Sequence, residues 1–329
     1  MNAQEQIAEI VKVIQSRVDS FNESMPDVEK KVYSRLLQLL KELKTINGRV
    51  VNGVENLNKI SSILPEIEEL LNKSGLEKKA VEFSQAFDEV AKLQNNYFSA
   101  LTVQFTPKKV LTKLLDANKK WTVDKLTARG INAGFAPAMQ DILTRAMTTG
   151  AEYSELAEQV RAYVVSGEAG PGALARYSRQ VSTDALNFFS ANYNETITQD
   201  LGLKWRIYTG TLLETSREWC VHMVEKKYVH EAELQDCLTK EIDGVEIGGE
   251  EIPVNKKTGL PRGLREGTTA ESVKVNRGGW QCGHQWASVT ESMVPLNIRI
   301  ATYDKYGIKH KNGIAVKEKP GRNRQATTG

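Results

Sequence analysis

The chain has 329 residues, 40% hydrophobic and 26% charged, with a formal net charge of +3. That length suits two or three domains and the composition suits a globular protein, while so small a net charge does not by itself imply nucleic-acid binding. No apolar run reaches the roughly 18 residues that a membrane span needs, and Met1-Asn2-Ala3-Gln4-Glu5-Gln6 lacks the basic and apolar regions of a secretory leader, so an intracellular location is expected.

The first hundred residues read as helix. Ile7, Val11, Ile14, Val18 and Phe21 step by four and three, on one seam of a helix. Met25-Pro26-Asp27 interrupts the pattern, since proline disfavours helix in the residue before it and suits the first turn of the next. The seam resumes at Val32, Leu36, Leu39, Leu43, Ile46 and Val50 and continues through Val54, Leu57, Ile60, Leu64, Ile67 and Leu71. Asn47-Gly48, Asn52-Gly53 and Pro65 are breakers within it. The pattern fits a kinked rod or a set of antiparallel helices, and it fits a bundle burying its own seam or an exposed arm that self-associates or docks on another subunit.

A further helix is expected from Leu76 to about Leu101, with Phe105-Thr106-Pro107 closing the region. A second helical block follows, punctuated at Gly130, at Gly150 and by the hinge-like run from Gly167 to Gly172. Ala173 to Asp200 reads as one long helix. Lys204 to Thr209 alternates as a strand does, Val229 to Leu238 reads as a helix, and Val289 to Tyr303 is mildly β-prone. Gly244 to Gly267 reads as a long surface loop. From Lys305 to Arg324 there are seven basic residues and one acid, Glu318, a composition expected to stay flexible until a partner orders it. The expected fold is α+β, mostly α: a helical arm (1–106), a helical block (107–200), a small α/β domain (201–295) and a basic tail (296–329).

The chemistry-bearing residues cluster late in the chain. Cys220-Val221-His222 and Cys282-Gly283-His284 are two Cys-x-His pairs. On extended backbone, residues i and i+2 share a face, so two such pairs on neighbouring segments would offer four ligands to one zinc ion. Zinc bound there would be structural and would staple the segment 221–281. The alternative is a metal-free cluster of buried thiols with locally bonded histidines. His230 and Cys237 are further donors without a matching spacing. Three cysteines with no leader suit reduced thiols or metal ligands better than disulfides. Trp205, Trp219, Trp280 and Trp286 suggest one hydrophobic centre.

Three pieces stand in order: the helix beginning Ala175-Arg176-Tyr177-Ser178-Arg179; then Trp205-Arg206-Ile207-Tyr208-Thr209 with Thr215-Ser216-Arg217-Glu218-Trp219-Cys220; then Asn276-Arg277-Gly278-Gly279-Trp280-Gln281-Cys282-Gly283-His284-Gln285-Trp286. Over about Lys108 to Glu291 this set resembles the Mu F-like head morphogenesis family of tailed bacteriophages. Gly283 departs from it, where a basic residue is expected, and so does the absence of a second cysteine just after Cys220. Arg217, Trp205, Gly278, Gly279 and Trp280 are the positions expected to define the fold of this region. The resemblance implies a non-enzymatic minor head protein inside the capsid near the portal, made in the host cytoplasm, with portal or major capsid protein as partner. Lys309, Lys311, Lys317, Lys319, Arg322 and Arg324 would then meet packaged DNA through phosphate contacts. The competing reading is a metal-dependent nuclease or hydrolase built on the Cys/His cluster, with Glu218 or Glu225 as ligand or base. No phosphate loop, nucleophile elbow or His-Glu-x-x-His accompanies it. A coiled-coil adaptor would explain the seam and leave the later constellation unexplained.

Overall fold

A computed structural model describes residues 3–102, 105–168, 170–239, 252–280, 282–311 and 314–316. It is 67% helix and 8% strand, so the expected α+β, mostly α, class holds. The chain forms two compact units, residues 1–96 with 107–190, and 97–106 with 191–329. These bounds differ from the four expected segments, because two long helices each contribute residues to both units.

The first unit is helical. Helix α1 (Ala3–Asn22) leads to α2 (Met25–Leu40), whose first turn carries Pro26 as expected. A two-stranded hairpin follows, β1 (Thr45–Ile46) and β2 (Arg49–Val50). Asn47 and Gly48 turn it with φ of 51° and 79°, the left-handed pair that tight hairpins require. Gly53 then caps α3 (Val54–Lys73), and Pro65 lies inside that helix instead of ending it. Helices α4 (Leu76–Leu101), α5 (Lys109–Leu126), α6 (Ala128–Thr149), α7 (Tyr153–Val164) and α8 (Ala173–Leu201) complete the helical set. Gly130 sits within α6, whereas Gly150 ends it in the left-handed conformation.

The apolar seam is buried inside this unit. Ile7, Ile14, Val18, Phe21, Val32, Leu36, Leu39, Ile60, Ile67 and Leu71 are all buried, so the antiparallel-bundle reading fits and the rod does not. Ile46, Val54 and Leu57 are exposed, because the hairpin breaks the periodicity where they lie.

Glu29 of α2 is buried. Its carboxylate accepts the Ser166 N–H at 2.9 Å and the Ala175 N–H, in the first turn of α8, at 3.2 Å. One acidic side chain therefore ties down the expected hinge and caps a helix N-terminus, where negative charge is favourable. Glu29→Ala strands both part-buried donors and is expected to cost about 2–6 kcal/mol, at about 1–3 kcal/mol for each unsatisfied group. Urea unfolding followed by far-ultraviolet circular dichroism measures it, and an unchanged midpoint would contradict the assignment.

The second unit is built on a three-stranded antiparallel sheet in the order β4-β3-β5, with β3 (Trp205–Thr209) between β4 (Tyr228–His230) and β5 (Gln285–Val289). Trp205 pairs with Val289 and Tyr208 with Trp286. Trp205 and Ile207 join Val289, Val294 and Tyr303 in one core, while Tyr208 on the opposite face joins Trp219, Cys220, Met223, Cys282 and Trp286 in another. Both faces of the sheet are covered, so Arg206 is buried as well. It pairs with Glu195 of α8 at 3.0 Å, and Lys274 reaches the same carboxylate at 3.0 Å.

Three local readings need correction. Residues 229–238 are not a helix; they form β4 and two 3-10 turns, with His230 capping the first through its ring. The β-prone segment 289–303 holds the end of β5 and then α11 (Leu296–Tyr306), started by Pro295 and ended by left-handed Gly307. Helix α11 belongs to the unit and not to a flexible tail: the Trp205 indole donates to the Tyr303 hydroxyl at 3.2 Å. Strands β6 (Lys309–Lys311) and β7 (Ile314–Val316) follow. Residues 240–251, which include the first third of the expected loop, lie outside the described residues; residues 252–267 carry no helix or strand, with Ile252 buried and Val254 bridged to Pro261.

Candidate metal centre

Helix α9 (Glu218–Lys226) begins at Arg217 and places Cys220 under the sheet. The loop after α10 (Val273–Asn276) brings Cys282 and His284 to the same point, just before β5. Cys220 and Cys282 lie 62 positions apart in sequence, yet their sulfurs are 3.9 Å apart. The His284 Nδ1 is 3.6 Å from the Cys282 sulfur. All three side chains are buried, at 1%, 3% and 6% exposure for Cys220, Cys282 and His284, and their donor atoms fall within 4.8 Å of one another. This group can hold a metal ion.

His222 does not join it. Cys220-Val221-His222 is helical and not extended, so the two side chains diverge by about 200° around the α9 axis. The expected four-ligand set is thus reduced to Cys220, Cys282 and His284. His230 and Cys237 stay apart: His230 accepts the Ala232 N–H, and Cys237 is a buried thiol pushed up to about 12 by desolvation.

Two of the three ligand-to-ligand distances match a tetrahedral metal, and all three donors lie within 4.8 Å of one another. Zinc with Zn–S near 2.3 Å and Zn–N near 2.0–2.1 Å sets S–S and S–N edges of roughly 3.8 and 3.5 Å. The sulfur separation is far beyond the roughly 2.05 Å of a disulfide, and both cysteines are free. The hydrogen bond from the Cys220 thiol, joined by His284 and the charge of Arg277, pulls the Cys282 thiol well below its ordinary value. Cys220 moves the opposite way, first through that same bond and then through burial. The pair therefore favours at least one thiolate, the form that binds metal. The His284 Nε2 is buried with no hydrogen-bond partner, so the ring's polar contact is on the sulfur side.

The residues singled out by resemblance build the walls. Gly278 packs against both sulfurs: a Cβ there would overlap the Cys220 sulfur and stand 2.9 Å from that of Cys282. Gly279 has φ of 97° and lets the turn close on the Gly263 carbonyl. Arg217 donates to the Trp280 carbonyl at 2.7 Å, tying the start of α9 to the same turn. Trp205, Trp219 and Trp286 are core residues, but not of the one centre expected: Trp205 packs on one face of the sheet and Trp219 with Trp286 on the other, while Trp280 is 53% exposed, with the Arg265 guanidinium 3.5 Å above its ring. Lys309 is exposed on β6. Lys311 is placed on β6 by its backbone alone, and Lys317, Lys319, Arg322 and Arg324 lie outside the described residues.

Two residues were not singled out by the sequence. Arg277 is fully buried and donates to the carbonyls of Cys282 and His284 at 2.6 and 3.3 Å, setting positive charge beside the Cys282 sulfur. Tyr208 places its hydroxyl 3.5 Å from each sulfur and stacks flat on His284, with an interplanar angle of 11°. The alternation of β3 gave its only signal, since Tyr208 shares a face with Arg206 and not with Trp205.

No family model, curated protein or solved structure matches the chain. Among the described residues no helix is long and apolar enough to cross a membrane.

Proposed function

We propose that this chain is a structural minor head protein of a tailed bacteriophage, acting inside the capsid near the portal during head assembly. One observation carries the reading: the separated pieces of the motif converge, with Cys220 and Cys282 at 3.9 Å beside His284 under a glycine turn. The order of those pieces therefore has a physical purpose, the closing of one compact unit. Zinc on the two thiolates and the imidazole serves as a structural staple, a role that suits ligands so deeply buried. Portal or major capsid protein is the partner. The N-terminal seam is consumed within its own bundle, so docking falls to exposed apolar residues such as Ile46, Val54 and Leu57. Lys309 and the basic residues after it contact packaged DNA.

One observation favours a metal-dependent hydrolase instead. Three protein ligands leave a corner of the tetrahedron, the pattern of catalytic zinc. The low exposure of all three ligands weighs against substrate access there.

Purified DNA-filled heads, probed by mass spectrometry and by pull-down on tagged portal protein, test the proposal. The chain is expected in the particles and in the portal complex. Particles that lack it, together with metal-dependent nuclease activity of the purified protein lost in His284→Ala, would replace the structural reading with the enzymatic one.

A further inference from the structure

Cys220, Cys282 and His284 supply three ligands, and a tetrahedral ion needs a fourth. We propose that Tyr208 is that fourth group, its hydroxyl oxygen occupying the remaining corner. The inference rests on the reading of the cluster as a metal site.

The argument begins with distances. An oxygen about 2.0–2.1 Å from zinc lies roughly 3.5 Å from each sulfur bound at about 2.3 Å. The Tyr208 hydroxyl is 3.5 Å from the Cys220 sulfur and 3.5 Å from the Cys282 sulfur. With the sulfur–sulfur edge of 3.9 Å and the sulfur–imidazole edge of 3.6 Å, four of the six edges of a coordination tetrahedron are already present. Without a metal the same contacts are hydrogen bonds between the phenol and the two thiols, and they hold its oxygen where a fourth ligand would sit.

The backbone holds the hydroxyl in place. Tyr208 pairs with Trp286 across β3 and β5, two residues beyond His284, so sheet register sets its ring beside the imidazole. The rings stack with centroids 5.6 Å apart, and the Trp219 and Trp286 rings meet Tyr208 edge-on at 5.3 and 4.7 Å. The phenol is thus confined on several sides, with its oxygen aimed at the sulfurs. Burial supplies the last step. Tyr208 is 1% exposed and the three ligands are nearly as enclosed, so a protein oxygen already at the corner takes the place that a solvent-fed site gives to water.

The test uses the full chain loaded with cobalt(II) in place of zinc, comparing wild type, Tyr208→Phe and Cys282→Ser. The wild type is expected to show a thiolate-to-cobalt charge-transfer band and the intense visible bands of four-coordination. Tyr208→Phe should keep the charge-transfer band, shift and weaken the visible bands, and bind cobalt about 10-fold or more less tightly. Cys282→Ser should lose much of the charge transfer. Visible bands in Tyr208→Phe that superimpose on those of wild type would overturn coordination by Tyr208 and leave the three-ligand site standing. Absence of the thiolate band in wild type would overturn the metal site itself. A second measurement needs no variant: zinc added to metal-free wild type should give a phenolate difference band equivalent to one tyrosine per ion. Its absence, with zinc bound, would again overturn the proposal.

Discussion

With zinc bound as proposed, its removal by a chelator, or replacement of Cys282 with serine, is expected to destabilise the unit of residues 97–106 and 191–329 by more than about 4 kcal/mol. The size follows from what the cluster joins. Helix α9 and the Gly-rich turn meet at Cys220, Cys282 and His284, and the segment between them supplies Met223, Val229, Leu234, Leu238, Ile252 and Val273 to the apolar cluster that these ligands close. Structural zinc contributes about 10–16 kcal/mol in small peptides that have no other core. Here two apolar clusters share the load, so only part of that is exposed to removal. Three of the five tryptophans, Trp205, Trp219 and Trp286, are buried in this unit, which makes near-ultraviolet circular dichroism and fluorescence the natural readouts. Melting curves that coincide with and without chelator would remove the staple from the account.

Trp219→Ala is expected to cost about 3–5 kcal/mol, the usual range for emptying a large aromatic site. Trp219 is fully buried, meets Tyr208 edge-on, and its indole donates to the Cys237 carbonyl at 2.7 Å. The substitution leaves a cavity and an unsatisfied carbonyl in the same place. Trp280→Ala is the control. That ring is half exposed, with the Arg265 guanidinium over its face, so its loss should cost no more than about 1 kcal/mol. Equilibrium urea unfolding of the two variants measures the difference, and equal midpoints would contradict the placement of either tryptophan.

The parts of this fold that the sequence announced are those in which one local rule acts alone. The seam of α1 and α2 is legible because a three-four repeat has few meanings other than a buried helix face. Helix α8 is legible because nothing breaks Ala173 to Asp200. The convergence of Cys220 and Cys282 could be expected from the ordered motif, although no distance could. His222 falls outside the cluster because Cys-x-His presents two ligands to one point only on extended backbone, and the acidic first turn at Glu218 is a helix signal that the motif hides. Helix α11 carried its own punctuation, Pro295 before it and Gly307 after it, beneath β-branched residues that suggested a strand. Residues 229–238 misled in the opposite direction. Their helical composition yields to the pairing of Tyr228, Val229 and His230 with β3, a tertiary contact that local propensity does not contain. Tyr208 and Arg277 stayed hidden for the same reason, since their roles depend on segments that meet only after folding.

The most direct test of the metal centre is zinc analysis combined with X-ray absorption at the zinc edge on protein purified without added metal. One zinc per chain is expected, with two sulfur neighbours near 2.3 Å and nitrogen or oxygen neighbours near 2.0–2.1 Å. A chain that carries no zinc, or zinc whose shell contains no sulfur, would contradict the account at its centre.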